Sequence, residues 1–159
     1  MSTVSEARLE GVALKAWRDY LKSHATILRE LDAELVAEHG LTTRDYEVLL
    51  HLSQAERRHL AMSALAERTM LTRSGITRLV DGLVDAGFVE RKSCANEARV
   101  SYAQLTDEGH DKLRGASRSH IAGVRRQFVE RFSEEELHVL AKLLSRLPGA
   151  TTEGSCSVE

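Results

Sequence analysis

The stretch that most constrains the fold runs from Leu60 to Gly109. Apolar residues recur there at helical spacing in two short segments, over 61–68 and from residue 73 onward, with a break at 69–71. Thr72 stands where it can cap the second segment, and Gly87 where a glycine ends a helix. Two short helices joined by a tight turn predict a helix-turn-helix. The residues of the second helix predicted to face inward are Ile76, Leu79, Val80, Leu83 and Val84.

The first turns of this second helix carry polar side chains that reach phosphates and base edges. Backbone N–H groups and the helix dipole favour an anion at the same end. In a helix-turn-helix, the N-terminal end of the second helix enters the major groove of DNA. The alternative is an ordinary solvated helix face. The predicted DNA-binding residues here are Thr72, Arg73, Ser74, Thr77 and Arg78, together with Ser63 in the first helix, which is either a phosphate donor or a plain surface serine.

A β-hairpin is predicted directly after the second helix. Residues 88–92 favour a strand, 93–98 contain no large apolar residue and favour a loop, and 99–105 alternate as a returning strand. Residues 60–61 favour a short third strand. A hairpin in this place is a wing, and its basic residues Arg91, Lys92 and Arg99 are predicted to contact DNA.

The sequence Leu-Thr-Asp-Glu-Gly at 105–109 follows a Glu-x-Arg pair at Glu97 and Arg99. With the helix-turn-helix upstream, this arrangement resembles the MarR family of bacterial transcription regulators, although the family usually has Asp in place of Glu97. The resemblance extends from Leu9 to Leu147. It implies that Arg99 contacts the minor groove or a phosphate from the wing. The alternative for Arg99 is a surface salt bridge with Glu97 or Glu90.

Charge is distributed unevenly along the 159 residues. The net charge is −2 and the pI about 6.4, which argues against a non-specific nucleic-acid coat. Residues 57–80, however, contain five arginines and one glutamate, a local charge of +4, which suits a specific DNA-binding face. No apolar run of membrane-spanning length and no signal peptide are present, and two cysteines make no disulfide framework. We therefore expect a cytoplasmic protein.

Long amphipathic helices flank the winged region. One is predicted from residue 9 to about 38, one from a Thr106 cap to about 132, and one from a Ser133 capping box to about 147. Thr42 or Thr43 is predicted to cap the helix between the first of these and the helix-turn-helix. The fold is thus predicted to be mostly α with a small β-wing. Residues 1–40 and 106–147 are assigned to dimerisation, 41–105 to the winged helix-turn-helix, and 148–159 to a disordered tail.

A homodimer is the simplest way to bury the apolar stripes of the flanking helices. By the resemblance, many relatives bind an aromatic or phenolic anion between the dimer helices and the winged region. Residues that could line such a pocket, or equally serve as interface core, are Trp17, Tyr20, His24, Tyr46 and His51.

Other functions are weighed against this one. The seven histidines lack paired metal-ligand spacing, and no phosphate loop or nucleophile elbow is present, so neither a metal, a cofactor nor catalysis is predicted. The sequence is interpreted as a homodimeric, sequence-specific DNA-binding repressor of a pseudo-palindromic operator, released by a small aromatic or phenolic effector. The alternatives are a redox-sensing regulator acting through Cys94, or a winged-helix module that binds another protein.

Overall fold

The computed structural model describes residues 8–94 and 97–150. Its helices are α1 Gly11–His39, α2 Thr43–Gln54, α3 Met62–Arg68, α4 Arg73–Asp85, α5 Asp107–Gln127 and α6 Glu134–Leu144. Its strands are β1 His59–Ala61, β2 Val89–Cys94 and β3 Glu97–Leu105, and 3₁₀ turns occupy Glu56–Arg58 and Val129–Arg131. The mostly helical fold with a small sheet is the predicted one.

The chain divides into two units, residues 1–121 and 122–159, and α5 begins in the first and ends in the second. The first unit has a core to which the end of α1, the helix-turn-helix, the sheet and the start of α5 all contribute. Residues of this core with no exposed surface include Val48, Leu49, Leu52, Leu65, Val80, Ala103 and Ala116.

The predicted helix caps are confirmed. The Thr42 hydroxyl accepts a hydrogen bond from Asp45 N–H, and the Asp45 carboxylate accepts one from Thr42 N–H, which forms a capping box. Ser133 and Glu136 form the same arrangement at α6. Thr43 has a different partner, because its backbone N–H and hydroxyl both donate to Asp32 on α1. These bonds hold the pKa of Asp32 below its ordinary value and join α1 to the start of α2.

The sheet has the order β1-β3-β2, with both pairs antiparallel, and β1 is the predicted third strand. The predicted loop over 93–98 is wrong at both ends. β2 continues to Cys94, β3 begins at Glu97, and these two residues pair with each other after a register shift. The pairing uses backbone N–H and C=O groups, so a hairpin can continue through small and polar residues.

The helix predicted to run to about residue 132 ends at Gln127. Phe128 leaves helical geometry at φ −127° and ψ −61°, and its ring packs edge-on against Phe132 with centroids 5.5 Å apart. Phe128 and Phe132 are four residues apart, which is helical spacing and led to the prediction of a longer helix. In the structure they lie on either side of a turn and contact each other. The turn brings the chain to the extended Ser133 that caps α6. Helix α6 itself ends at Leu144, before the predicted end near Leu147.

Candidate nucleic-acid interface

The start of α4 is held by its own cap. Thr72 accepts a hydrogen bond from Gly75 N–H at 3.1 Å, and its hydroxyl lies 3.2 Å from that of Ser74. Both side chains remain exposed. The confirmed cap uses one of the free N–H groups of the first turn, and the others stay available to an anion.

The outer face of α4 presents the four polar residues that the sequence singled out. Arg73, Ser74, Thr77 and Arg78 are all exposed, whereas the opposite face of the helix is buried in the core. Neither arginine is paired with an acidic side chain among residues 8–94 and 97–150. A rigid helix thus carries two uncompensated guanidinium groups beside two hydroxyls, which is chemistry suited to phosphates and base edges.

The turn between α3 and α4 is fixed by buried hydrogen bonds. Thr69 is fully buried and its hydroxyl donates to Leu65 O at 2.7 Å, while Leu71 N–H donates to Ala66 O at 2.9 Å. Arg44 reaches over from α2 and donates to Thr69 O at 3.3 Å. These contacts set the angle between the two helices. Ser63 is exposed in the first turn of α3.

Arg91 on β2 joins the wing to α4. Its guanidinium donates to Asp81 Oδ1 from Nε at 3.0 Å and from Nη2 at 2.7 Å, and Nη2 also lies 3.4 Å from Thr77 O. Arg91 was predicted as a direct DNA contact, and the structure places it in an intramolecular ion pair. Asp81 could not be predicted from the sequence, because no local pattern links a helix residue to its strand partner.

The other wing residues are less constrained. Lys92 is exposed, with Nζ 3.8 Å from Glu90 Oε2. The side chains of Arg99 and Cys94 lie outside the described part of the molecule, as do residues 151–159 of the tail predicted over 148–159. Lys92 is therefore an exposed cation of the described wing, within ion-pair distance of Glu90.

The Leu-Thr-Asp-Glu-Gly segment forms a joint between the start of α5 and the residues that directly follow α4. Thr106 donates from its backbone N–H to Phe88 O at 3.1 Å and from its hydroxyl to Gly87 O at 2.8 Å, and it caps α5 by accepting from Gly109 N–H. A Cβ atom on Gly109 would lie 2.1 Å from Phe88 O. Only glycine allows this close approach, which explains why the last residue of the segment is a glycine.

The five candidate ligand-binding residues separate into groups. Trp17, Tyr20 and His24 stack in a row along α1, with successive ring centroids 6.2 and 6.1 Å apart. They lie on the exposed N-terminal half of that helix, where Trp17 is 50% exposed. This row is separate from the core to which Tyr46 belongs.

Tyr46 packs on a residue that the sequence analysis did not select. Its ring lies 4.6 Å from that of His120 on α5, and its hydroxyl is 3.4 Å from Ser117 Oγ. Burial lowers the pKa of His120, and its Nδ1 atom is buried without a hydrogen-bond partner in the described structure. His51, one turn and more along α2, also has a pKa lowered by burial.

The residues that the structure describes contain no group of three His, Cys, Asp or Glu side chains placed to hold a metal ion. None of their helices combines the length and apolar character needed to cross a membrane.

Comparison with known proteins identifies the family. The family model described as MarR family matches residues 39–99. AbsC, a MarR family transcriptional regulator from Streptomyces coelicolor, is 32% identical, with 87% of this chain and 93% of that one aligned at a TM-score of 0.81. Sco3205, a MarR family regulator from the same organism solved in complex with DNA, is 29% identical over 89% of each chain at a TM-score of 0.82.

A curated relative gives the same result. The HTH-type transcriptional repressor YetL of Bacillus subtilis (strain 168) is 32% identical over 111 residues, which are 70% of this chain and 66% of YetL. The chain thus spans just under two thirds of that repressor. With the helix-turn-helix, the wing and the glycine joint in place, and with AbsC aligned over almost its whole length, this chain belongs to the MarR family of transcriptional regulators.

Proposed function

We propose that the chain is a homodimeric, sequence-specific DNA-binding repressor that a small aromatic or phenolic ligand releases from its operator. The observation that carries the DNA-binding part is the outer face of α4, where Arg73 and Arg78 stand exposed without an acidic partner in the described structure. Sco3205, with the same fold, was solved with DNA bound. As a DNA-binding regulator, the protein would act in the cytoplasm.

The residues have distinct roles in this proposal. Residues 72–78 enter the major groove, where Arg73 and Arg78 pair with guanine or phosphate. The hydroxyl side chains of these residues form hydrogen bonds with neighbouring base edges. Ser63 donates to a phosphate from the start of α3. Lys92 and Arg99 contact the backbone or the minor groove from the wing. The ion pair of Arg91 assigns it first to holding the wing, and its own DNA contact remains a prediction.

Exposed apolar side chains support the dimer. In the first unit, α1 buries only Leu31 and Leu35, and leaves Trp17 half exposed and Val12 85% exposed. In the second unit, α6 buries no residue, and Val139 is 59% exposed. Helices of this composition need a partner surface. A two-fold dimer through residues 1–40 and 106–147 would place two copies of α4 about 34–36 Å apart on DNA.

The aromatic side chains of α1 and α2 support the ligand. The row of Trp17, Tyr20 and His24 offers flat apolar surface with a polar edge. Tyr46 and His51 lie in a second, more enclosed region on α2, where Tyr46 is buried and His51 is half-buried. A ligand binding at either region releases DNA only if it binds the DNA-incompetent spacing of the dimer more tightly.

The test is binding to the DNA immediately upstream of the protein's own coding region, titrated with salt. We expect two-fold-symmetric protection and an affinity that falls steeply as salt rises, because phosphate contacts release counterions. Phenolic anions such as salicylate are then added to the complex. An intact dimer that binds no duplex even at low salt would refute the DNA-binding proposal, and would favour a module that binds another protein.

A further inference from the structure

Met70 combines two unusual properties in the turn between α3 and α4. Its φ is +52°, a left-handed conformation that residues other than glycine, asparagine and aspartate rarely adopt. Its side chain is 88% exposed, the highest value among the exposed large hydrophobic residues of the described chain. Met70 therefore accepts an unfavourable backbone conformation without gaining burial of its side chain.

The surrounding contacts explain the backbone conformation but not the choice of methionine. Thr69 is buried on one side, and Leu71 is half-buried and packs against the core on the other. Backbone hydrogen bonds from Met70 N–H to Glu67 O and from Leu71 N–H to Ala66 O close the turn. The fold thus requires a left-handed residue here, for which glycine is best suited. Within the described structure, no contact stabilises the long apolar side chain that stands there instead of a glycine.

The position of Met70 indicates what its side chain meets. It lies two residues before Thr72, the cap of α4, and between the exposed cations Arg68 and Arg73. If α4 enters the major groove, this turn arrives at the rim of the groove. The apolar group that base pairs present in the major groove is the 5-methyl of thymine. The thioether chain of methionine is flexible and polarisable, so it can adapt its shape to pack against such a methyl group.

We propose that Met70 is a specificity-determining residue that packs against the 5-methyl group of a thymine beside the bases read by α4. This inference rests on the proposed DNA binding. It assigns an apolar contact to a residue outside the polar set at the start of α4, and it predicts one thymine preference in each half-site.

The experiment measures affinity for the operator duplex obtained above and for copies in which each thymine in turn is replaced by uracil, which lacks the methyl group. The variants are Met70→Leu, Met70→Asn and Met70→Gly. The wild-type protein should lose about fourfold in affinity at one uracil position in a half-site, as expected for burying one methyl group. Met70→Leu should keep this preference.

Met70→Asn and Met70→Gly should bind the thymine duplex about fourfold more weakly and should not distinguish uracil from thymine. Met70→Gly should also melt about 3 °C higher, because glycine relieves the left-handed conformation. Arg57→Gly is the matched control: Arg57 has φ +53° in the turn before β1, so its replacement relieves the same conformation, but the thymine preference should persist.

The outcomes separate this assignment from the proposed function. A wild-type protein that binds the operator but is indifferent to every uracil replacement would overturn the role of Met70 alone. So would a Met70→Gly protein that keeps the wild-type preference. A wild-type protein that binds no duplex would overturn the DNA-binding proposal, and this assignment with it.

Discussion

Arg91 donates two hydrogen bonds to one carboxylate oxygen of Asp81, from Nε at 3.0 Å and from Nη2 at 2.7 Å. The pair fastens strand β2 of the wing to the outer face of α4. Both side chains are partly exposed, so its contribution to the stability of the fold is about 0–1 kcal/mol. Its main effect is on the position of the wing relative to the helix proposed to read DNA.

Asp81→Ala tests this positioning. Removing an acid from a DNA-facing helix should raise affinity if charge alone mattered. We expect instead a loss of about threefold to tenfold in operator affinity, corresponding to a coupling of about 1 kcal/mol. Arg91→Ala should have a similar effect, and the double variant should lose little more. Asp85→Ala, which removes an acid of the same helix that has no ion-pair partner among the described residues, is the control and should not weaken binding. Tighter binding by Asp81→Ala would refute the positioning role.

Arg78→Ala should weaken operator binding by about 1–3 kcal/mol if Arg78 pairs with a guanine. The guanidinium is exposed and unpaired in the described structure, so its removal leaves the fold intact. The matched control is Arg114→Ala on α5, whose partner is Asp111 at 3.5 Å and which makes the same change in net charge. Fluorescence anisotropy at fixed salt measures both variants. Equal losses in the two would mean that Arg78 acts only through overall charge.

Gly109→Ala should destabilise the fold by about 1–3 kcal/mol, because the added methyl group meets a backbone carbonyl that cannot move away freely. Gly82→Ala provides the contrast. A Cβ atom on Gly82 meets nothing within 4 Å, so this variant should gain about 1 kcal/mol from higher helix propensity. Urea unfolding of the two variants gives both numbers. A Gly109→Ala protein as stable as the wild type would show that the joint can open.

His120 should make the stability of the fold depend on pH. Burial lowers its pKa in the folded state, so the unfolded chain binds more protons. The stabilisation is complete above about pH 6.5 and is lost as the pH falls through the lowered pKa. His120→Phe, which also removes the unpartnered Nδ1 atom, should unfold with a smaller loss of stability between about pH 7 and about pH 5. His51 has a pKa shift of the same sign and should account for part of the remaining slope. An unchanged slope would exclude His120 as its source.

The sequence predicted the features that depend on local spacing. The caps at Thr42, Thr72 and Ser133 are found where hydroxyl residues precede apolar periodicity, since capping involves only the next few residues. The apolar face of α4 and the place of the wing follow from the same local signals. So does the recognition of the family from the segment at 105–109.

The features that sequence reasoning missed depend on partners distant in the chain or on backbone pairing. The ring contact of Tyr46 with His120 joins residues on α2 and α5, and no spacing rule connects them. The pair of Asp81 and Arg91 likewise forms only once the hairpin has folded back on α4. The ends of β2 and β3 were misplaced because the ladder continues through Ser93 and Cys94 without any large apolar side chain.

The joint at Gly109 determines how a movement of α5 would be transmitted to α4. Thr106 bonds to two carbonyls just beyond α4, and the contact at Gly109 leaves no room for even one added methyl group. This close contact couples the first turn of α5 to the residues that directly follow α4, so we expect the two to move together. A ligand or partner that rotates α5 would therefore also change the orientation of α4.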